Sequence, residues 1–127
     1  SDTHVGRDTV TYNAAVSACE KGGAWVPSLH LLREMQLANV EADIITYNAA
    51  LSACEKSGAW EQALHLIHKM LDERVECDNL SYNAAISACE KGKASGLALQ
   101  LVHDMSDRCV ERDTITYNAA VSACEKG

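Results

Sequence analysis

Phenylalanine is missing altogether, proline occurs once, and aromatic residues make up only 5 % of the 127 positions. The apolar share is still 47 %, ordinary for a globular chain, so aliphatic and small side chains must supply the core. Basic charge is scarce as well. Eleven Lys and Arg stand against 18 Asp and Glu, a formal net charge of −7, which argues against a simple polyanion binder, because nonspecific affinity for nucleic acid comes from excess Lys and Arg. No stretch approaches a membrane span, so no membrane insertion is expected. There is no H-x-E and no C-x-x-C, so the zinc site of the nucleobase deaminases cannot be built from its motif. Gly-rich phosphate loops and nucleophile motifs are also missing. These absences lead to the expectation of a protein that is not an enzyme and needs no cofactor.

What is present is repetition. Tyr12, Tyr47, Tyr82 and Tyr117 are each followed by Asn, Ala and Ala, at a constant spacing of 35 residues. The shared block TYNAAVSACEK, Thr11 to Lys21, recurs as TYNAALSACEK, SYNAAISACEK and TYNAAVSACEK. A fixed period of this size marks one supersecondary unit stacked on itself. The units run 9–43, 44–78 and 79–113, with a truncated fourth at 114–127. About three repeats are needed before stacking buries a stable core, so this array is near the minimum. Residues 1–8 resemble neither a signal nor a transit peptide. They look like the end of a preceding repeat, and we expect a matured chain or an excised segment of a longer array.

Within a unit, Asp8 followed by TVTYNAAVSACEK has the form of a helix capped by Asp and stopped by Gly22 and Gly23; it is called helix A. From Trp25 to about Leu37, Leu29, Leu32 and Met35 recur at helical spacing, as do Leu64, Ile67 and Met70 in the segment that starts at Trp60. This is helix B, with Pro27 in its first turn, where a missing N–H is tolerated. In the third unit Ser95 and Gly96 replace that Trp start, which predicts a late or loose helix. The connecting segments, such as 39–43, are short enough for tight turns.

At about 100° per residue, Tyr12, Ala14, Ala15, Val16, Ala18 and Cys19 fan over one side of helix A, while Val10, Asn13, Ser17, Glu20 and Lys21 share the other. The first set is the expected core, with Tyr12 packing and its hydroxyl at the edge. Cys19, Cys54, Cys89 and Cys124 occupy equivalent sites on helices stacked roughly 8–10 Å apart, beyond the reach of a disulfide at about 7 Å between Cα atoms. They read as small core residues of a reducing compartment, whereas Cys77 and Cys109 fall in loops, where a thiol is open to reaction. His65 and His68 are three apart on helix B, with no fixed carboxylate or Cys partner; a solvated face explains them without a metal.

The second set invites two readings. Asn is a poor helix former, by roughly half a kcal/mol against Ala, and recurs either because the units share ancestry or because its amide, with donors and an acceptor, meets a polar edge laid across the repeats. Val10, Ile45, Leu80 and Ile115 either pack between adjacent helix starts or press on a flat apolar ring. Lys21, Lys56, Lys91 and Lys126 are either solvated charges or phosphate contacts, beside Glu20, Glu55, Glu90 and Glu125.

The 35-residue period, the TYN block, the small-residue helix with Cys and Lys near its end, and the closing Asp resemble the pentatricopeptide repeat family over residues 8–127. The near-identical TYNAA and SACEKG blocks are similar to those of its dinoflagellate members. The resemblance implies an all-α fold, an α-solenoid in which antiparallel helix-turn-helix repeats stack into a right-handed superhelix. It also implies that each unit reads one base of single-stranded RNA through the Asn of TYN and the Asp that closes the unit. Here those are Asn13 with Asp43, Asn48 with Asp78, and Asn83 with Asp113, with Asn118 lacking its closing partner. In the family an Asn and Asp combination implies uridine, with cytidine tolerated less well. By the same resemblance Val10, Ile45, Leu80 and Ile115 sandwich bases, and Lys21, Lys56, Lys91 and Lys126 face phosphates. The expectation is therefore noncatalytic binding of U-rich or pyrimidine-rich single-stranded RNA in a mitochondrion or chloroplast. The alternative is a helical-repeat scaffold or accessory subunit that contacts protein subunits of a large organellar complex.

Overall fold

The computed structural model of the protein describes residues 9–108, 110 and 114–126. Seven helices are found among them: α1 (Thr9–Lys21), α2 (Trp25–Leu37), α3 (Ile44–Ser57), α4 (Trp60–Asp72), α5 (Asn79–Lys91), α6 (Ser95–Asp107) and α7 (Thr114–Lys126). No described residue lies in a strand. The odd-numbered helices correspond to helix A and the even-numbered ones to helix B.

Backbone hydrogen bonds at the helix ends explain why the period is so strict. Each A helix turns into its B helix through a six-residue closure in which Ala24, Ala59 and Ala94 donate N–H to the carbonyls of Cys19, Cys54 and Cys89 at 2.9, 2.9 and 2.8 Å. The residue before each donor is left-handed: Gly23 at φ 66°, Gly58 at 68° and Lys93 at 61°. Each B helix ends the same way. Val40, Val75 and Val110 donate to Met35, Met70 and Met105, all at 2.8 Å, with Asn39 and Arg74 left-handed at φ 58° and 61°. At the next helix start, Asp43 accepts from the Thr46 N–H at 3.1 Å and Asp78 from the Ser81 N–H at 3.0 Å, the N-cap role expected of the closing Asp. Asp8 and Asp113 lie outside the described residues.

The third unit does not start its B helix late. α6 begins at Ser95, in register with Trp25 and Trp60, because the same closure through Cys89 and Ala94 sets its first turn and Ala98 donates to the Ala94 carbonyl at 3.0 Å. The start is thus fixed by the backbone, and Trp serves packing: Trp60 lies so close to Gly92 that a Cβ there would stand 2.2 Å from Trp60 Cδ1.

Helix α3 packs on α1, α5 on α3 and α7 on α5, and each B helix packs on its own A helix and the next one. Among the described residues, no B helix touches another B helix within 8 Å between Cα atoms. Helices of the A layer are therefore closer together than those of the B layer, and the stack bends with the A helices on its inner side. The core fills the space between the layers with Val16, Leu32, Met35, Tyr47, Leu51, Leu66, Ile67, Met70, Tyr82, Ile86 and Met105. Small residues let the A helices approach: Ala50, Ala53, Cys54, Ala85, Ala88 and Cys89 are fully buried. Ala14 and Ala18, assigned to the core by periodicity, are exposed. Ala53 and Ala88, the equivalents of Ala18, are covered because their helices have an A neighbour on that side, whereas no described helix covers that side of α1; Ala49 and Ala84, the equivalents of Ala14, are half-buried.

One cysteine expectation changes. Cys77 is buried, with its Sγ 3.7 Å from Met70 Sδ, and burial pushes its thiol up to about 11, so it is the opposite of an activated nucleophile. Cys109 is outside the described residues. Burial likewise raises Cys54 to about 12 and Cys89 to about 11, in keeping with small core residues. Tyr12 is buried, as a packing residue should be, while Tyr117 is 47 % exposed. Tyr47 and Tyr82 are 1 % and 0 % exposed; the Tyr47 hydroxyl donates to Glu73, which also accepts from Gln36 at 2.9 Å. Arg108 stands where Glu73 stands one unit earlier, and the Tyr82 hydroxyl is buried with no hydrogen-bond partner among the described residues.

Candidate nucleic-acid interface

At each junction between A helices, the end of one unit and the start of the next build a small polar cluster on the inner layer. The amide nitrogen of Asn13 donates to Asp43 Oδ1 at 3.4 Å, and that of Asn48 donates to Asp78 Oδ1 at the same distance. The structure thus brings together the two side chains of each described pair, 30 residues apart in sequence. Asn83 is 6 % exposed, while its partner Asp113 lies outside the described residues. Asn118, on α7, is exposed.

The Asn side chains have a packing duty that periodicity did not show. The Thr46 hydroxyl donates to Asn13 Oδ1, the Ser81 hydroxyl to Asn48 Oδ1 at 2.5 Å, and the Thr116 hydroxyl to Asn83 Oδ1. Thr46, Ser81 and Thr116 are fully buried. Sequence reasoning passed over them, although a hydroxyl at that position in every unit, Thr11, Thr46, Ser81 and Thr116, was visible. Asp43 is tied equally firmly. Burial works to raise its carboxyl, but bonds from the Thr46 N–H, from Asn13 and from its own backbone N–H outweigh it and hold the group below the usual carboxylate range. The bonds that Asp43 and Asp78 accept from the Thr46 and Ser81 N–H groups and from the Asn13 and Asn48 amides all end on Oδ1.

Beside these clusters Ile45 is 59 % and Leu80 61 % exposed, so neither packs between helix starts. The side chains of Val10 and Ile115 are outside the described residues. The lysines are placed less simply. Lys56 reaches back to Glu20 and Lys91 to Glu55, both at 2.7 Å, and Lys56 also donates to the Glu20 carbonyl at 3.2 Å. The Lys56 ammonium, through hydrogen bond and charge, holds the Glu20 carboxyl below its ordinary range. Ser52 and Ser122 donate to Glu20 and Glu90 at 3.2 Å. Lys21 is exposed, and the Lys126 side chain is outside the described residues. Glu20 and its equivalents therefore join successive units, and the lysines keep about 40 % of their surface in solvent. His30, His65 and His68 are exposed, and among the described residues no group of three His, Cys, Asp or Glu could hold a metal ion. No helix among those residues is long and apolar enough to cross a membrane.

Models of the PPR repeat family match residues 42–91, and models of the PPR repeat match 10–40 and 80–110. The chain belongs to the PPR repeat family. No curated protein matches the sequence. Among solved structures, the pentatricopeptide repeat protein PPR10 in complex with an 18-nt psaJ RNA element is similar at 25 % identity with a TM-score of 0.81. That alignment covers 91 % of this chain and 17 % of PPR10. PPR10 from maize matches over the same shares at 16 % identity. The PPR domain of Arabidopsis thaliana protein-only RNase P 1, in complex with tRNA, aligns at 16 % identity and a TM-score of 0.79 over 93 % of this chain and 63 % of that one. The PPR chain described here thus spans less than a fifth of PPR10 and less than two thirds of the other neighbour. The stacked two-helix units are those of a PPR solenoid.

Proposed function

We propose that the chain binds single-stranded RNA along its inner layer, without catalysis, at one base per unit and with uridine preferred over cytidine. The observation that carries this is the repeated cluster in which an Asn amide and an Asp carboxylate stand side by side next to an exposed aliphatic residue. With its carbonyl tied to a hydroxyl, the Asn offers N–H to a base, and the Asp offers an acceptor oxygen. Uracil presents a carbonyl beside N3–H and matches both; cytosine presents an acceptor at N3, which faces the carboxylate lone pairs. Ile45 and Leu80, with Val10 and Ile115 in the same register, would cover the base faces. Lys21, Lys56, Lys91 and Lys126 would meet phosphates. Two of them must be shared with Glu20 or Glu55, so we expect weak binding by these units alone. Binding of RNA by two of the structural neighbours and family membership support this reading. We place the protein in a mitochondrion or chloroplast by its family, and the TYNAA and SACEKG blocks favour a dinoflagellate-type member.

A fluorescent U-rich single strand should bind more tightly than A-rich or duplex RNA of equal length, with affinity falling as salt rises. Equal affinity for all three would remove the base-reading claim. The net charge of −7 and the Glu partners of Lys56 and Lys91 favour a second reading, a scaffold or accessory subunit of an organellar complex. Undetectable RNA binding together with stoichiometric assembly onto protein subunits would select it.

A further inference from the structure

We propose that the buried hydroxyl near the start of each A helix, Thr46, Ser81 or Thr116, is a positioning residue for the base read by the preceding unit, so that one base specificity is built by two units. The proposal rests on the RNA-binding reading above and adds residues to it. Its basis is geometric and recurs at three junctions: the Thr46 hydroxyl on Asn13, the Ser81 hydroxyl on Asn48 and the Thr116 hydroxyl on Asn83. The hydroxyl is itself fixed. It sits in the first turn of its helix, 3.0 Å from the capping carboxylate at both Asp43 and Asp78, and it is fully buried, so it cannot swing away into solvent.

A primary amide has two ends that differ in hydrogen-bond sense and can exchange places by rotation. At these junctions the hydroxyl proton closes the carbonyl end of Asn13 or Asn48, while the carboxylate oxygen 3.4 Å away accepts from the nitrogen end. One N–H of each amide remains for the groove, which turns a rotatable group into a fixed donor. Without the hydroxyl only the longer carboxylate contact would hold the amide, and it could turn toward the base in either sense. The donor and acceptor pattern that separates uracil from cytosine would blur at that base alone. Because Thr46 belongs to the unit after Asn13, a substitution in the second unit should alter the base read by the first.

The test uses the 127-residue chain and a fixed-length single-stranded RNA with a UUU core, in which each core uridine is replaced singly by cytidine. Thr46→Val keeps the shape and removes the hydroxyl. It should lower the preference for uridine about three- to tenfold, as expected for one hydrogen bond, at the core position assigned to Asn13 and Asp43, and leave its neighbour unchanged. Ser81→Ala should move the loss to the adjacent position, and Thr46→Ser should restore wild-type preference. The side-chain amide resonances of Asn13, followed by NMR without RNA, should shift in Thr46→Val and return in Thr46→Ser. Preference lost equally at every core position, or unchanged while the Asn13 amide shifts, would overturn the proposal with RNA binding intact. If the wild-type chain binds none of these RNAs while the amide shift is seen, the RNA reading itself falls and the hydroxyl is only an interhelical strut.

Discussion

Lys93 occupies a backbone conformation that its side chain disfavours, and the repeat supplies its own controls. The same turn position is Gly23 in the first unit and Gly58 in the second, at φ 66° and 68°, and Lys93 holds φ 61°. An L-residue with a Cβ in the left-handed region costs about 1–2 kcal/mol. Glycine removes that cost but loses more backbone freedom on folding, about 0.5–1 kcal/mol. Lys93→Gly should therefore stabilise the chain by about 0.5–1 kcal/mol, raising Tm by roughly 2–6 °C at this size. The opposite exchange is worse than its mirror image. A Cβ on Gly58 would stand 3.2 Å from Lys91 Cβ, so Gly58→Lys adds crowding to strain, and we expect it to cost at least about 1–2 kcal/mol. Both variants can be compared by thermal and urea denaturation followed by circular dichroism, with helix content as the check that the fold is retained. A Tm for Lys93→Gly at or below wild type, with Gly58→Lys also neutral, would show that the turn closes without a left-handed residue and refute the account of the unit closure.

Four further outcomes follow from the packing and the polar clusters. Ala50 is fully buried between A helices, so Ala50→Leu should overpack that junction by about 1–3 kcal/mol; an unchanged Tm would place this face of α3 in solvent. Asp78→Asn keeps an equally good N-cap and should leave stability within about 0.5 kcal/mol, while at the base read with Asn48 the preference should move from UUU toward UCU in competition binding. Arg108→Glu gives the Tyr82 hydroxyl the acceptor that Glu73 gives Tyr47 and should stabilise by about 1 kcal/mol, with Tyr82→Phe abolishing the gain. Asp43, Glu20 and Glu73 are more acidic folded than unfolded, so the unfolded chain takes up protons first as pH falls. The stability they contribute is present above the ordinary carboxylate range and should be lost between about pH 5 and pH 3, read as a falling urea midpoint.

Much of the architecture was legible because it depends on relations within a few residues. The helix phase, the Asp caps at Asp43 and Asp78 and the small-residue face that buries Ala50 and Ala85 all follow from local spacing. What the sequence hid were partners one period away. Asn13 and Thr46 are 33 residues apart and Glu20 and Lys56 are 36 apart, and nothing in either helix alone announces that they meet. Within one helix Glu20 is only the neighbour of Lys21; across the junction it is the clasp of Lys56. Ser95 misleads for the opposite reason, since the lost Trp predicts a late or loose helix although the backbone closure through Cys89 and Ala94 is intact. Cys77 looked like an open loop thiol because its burial against Met70 depends on how the end of one unit folds over α4.

Among the described residues no two B helices come within 8 Å between Cα atoms, and the link across the outer layer is the bond from Gln36 of α2 to Glu73 at the end of α4. This has a bearing on how such an array can diverge. An A helix must fit two A neighbours at once, so any change there has to be compatible with copies on both sides, and the sequences of α1, α3, α5 and α7 remain nearly interchangeable. A B helix packs its backbone mainly on the two A helices beneath it. WVPSLHLLREMQL, WEQALHLIHKMLD and SGLALQLVHDMSD accordingly share a few apolar positions and little else. Sequence drift can thus accumulate on the outer layer, where each unit acquires its own surface, while the inner layer stays uniform enough for units to be duplicated or exchanged as whole cassettes.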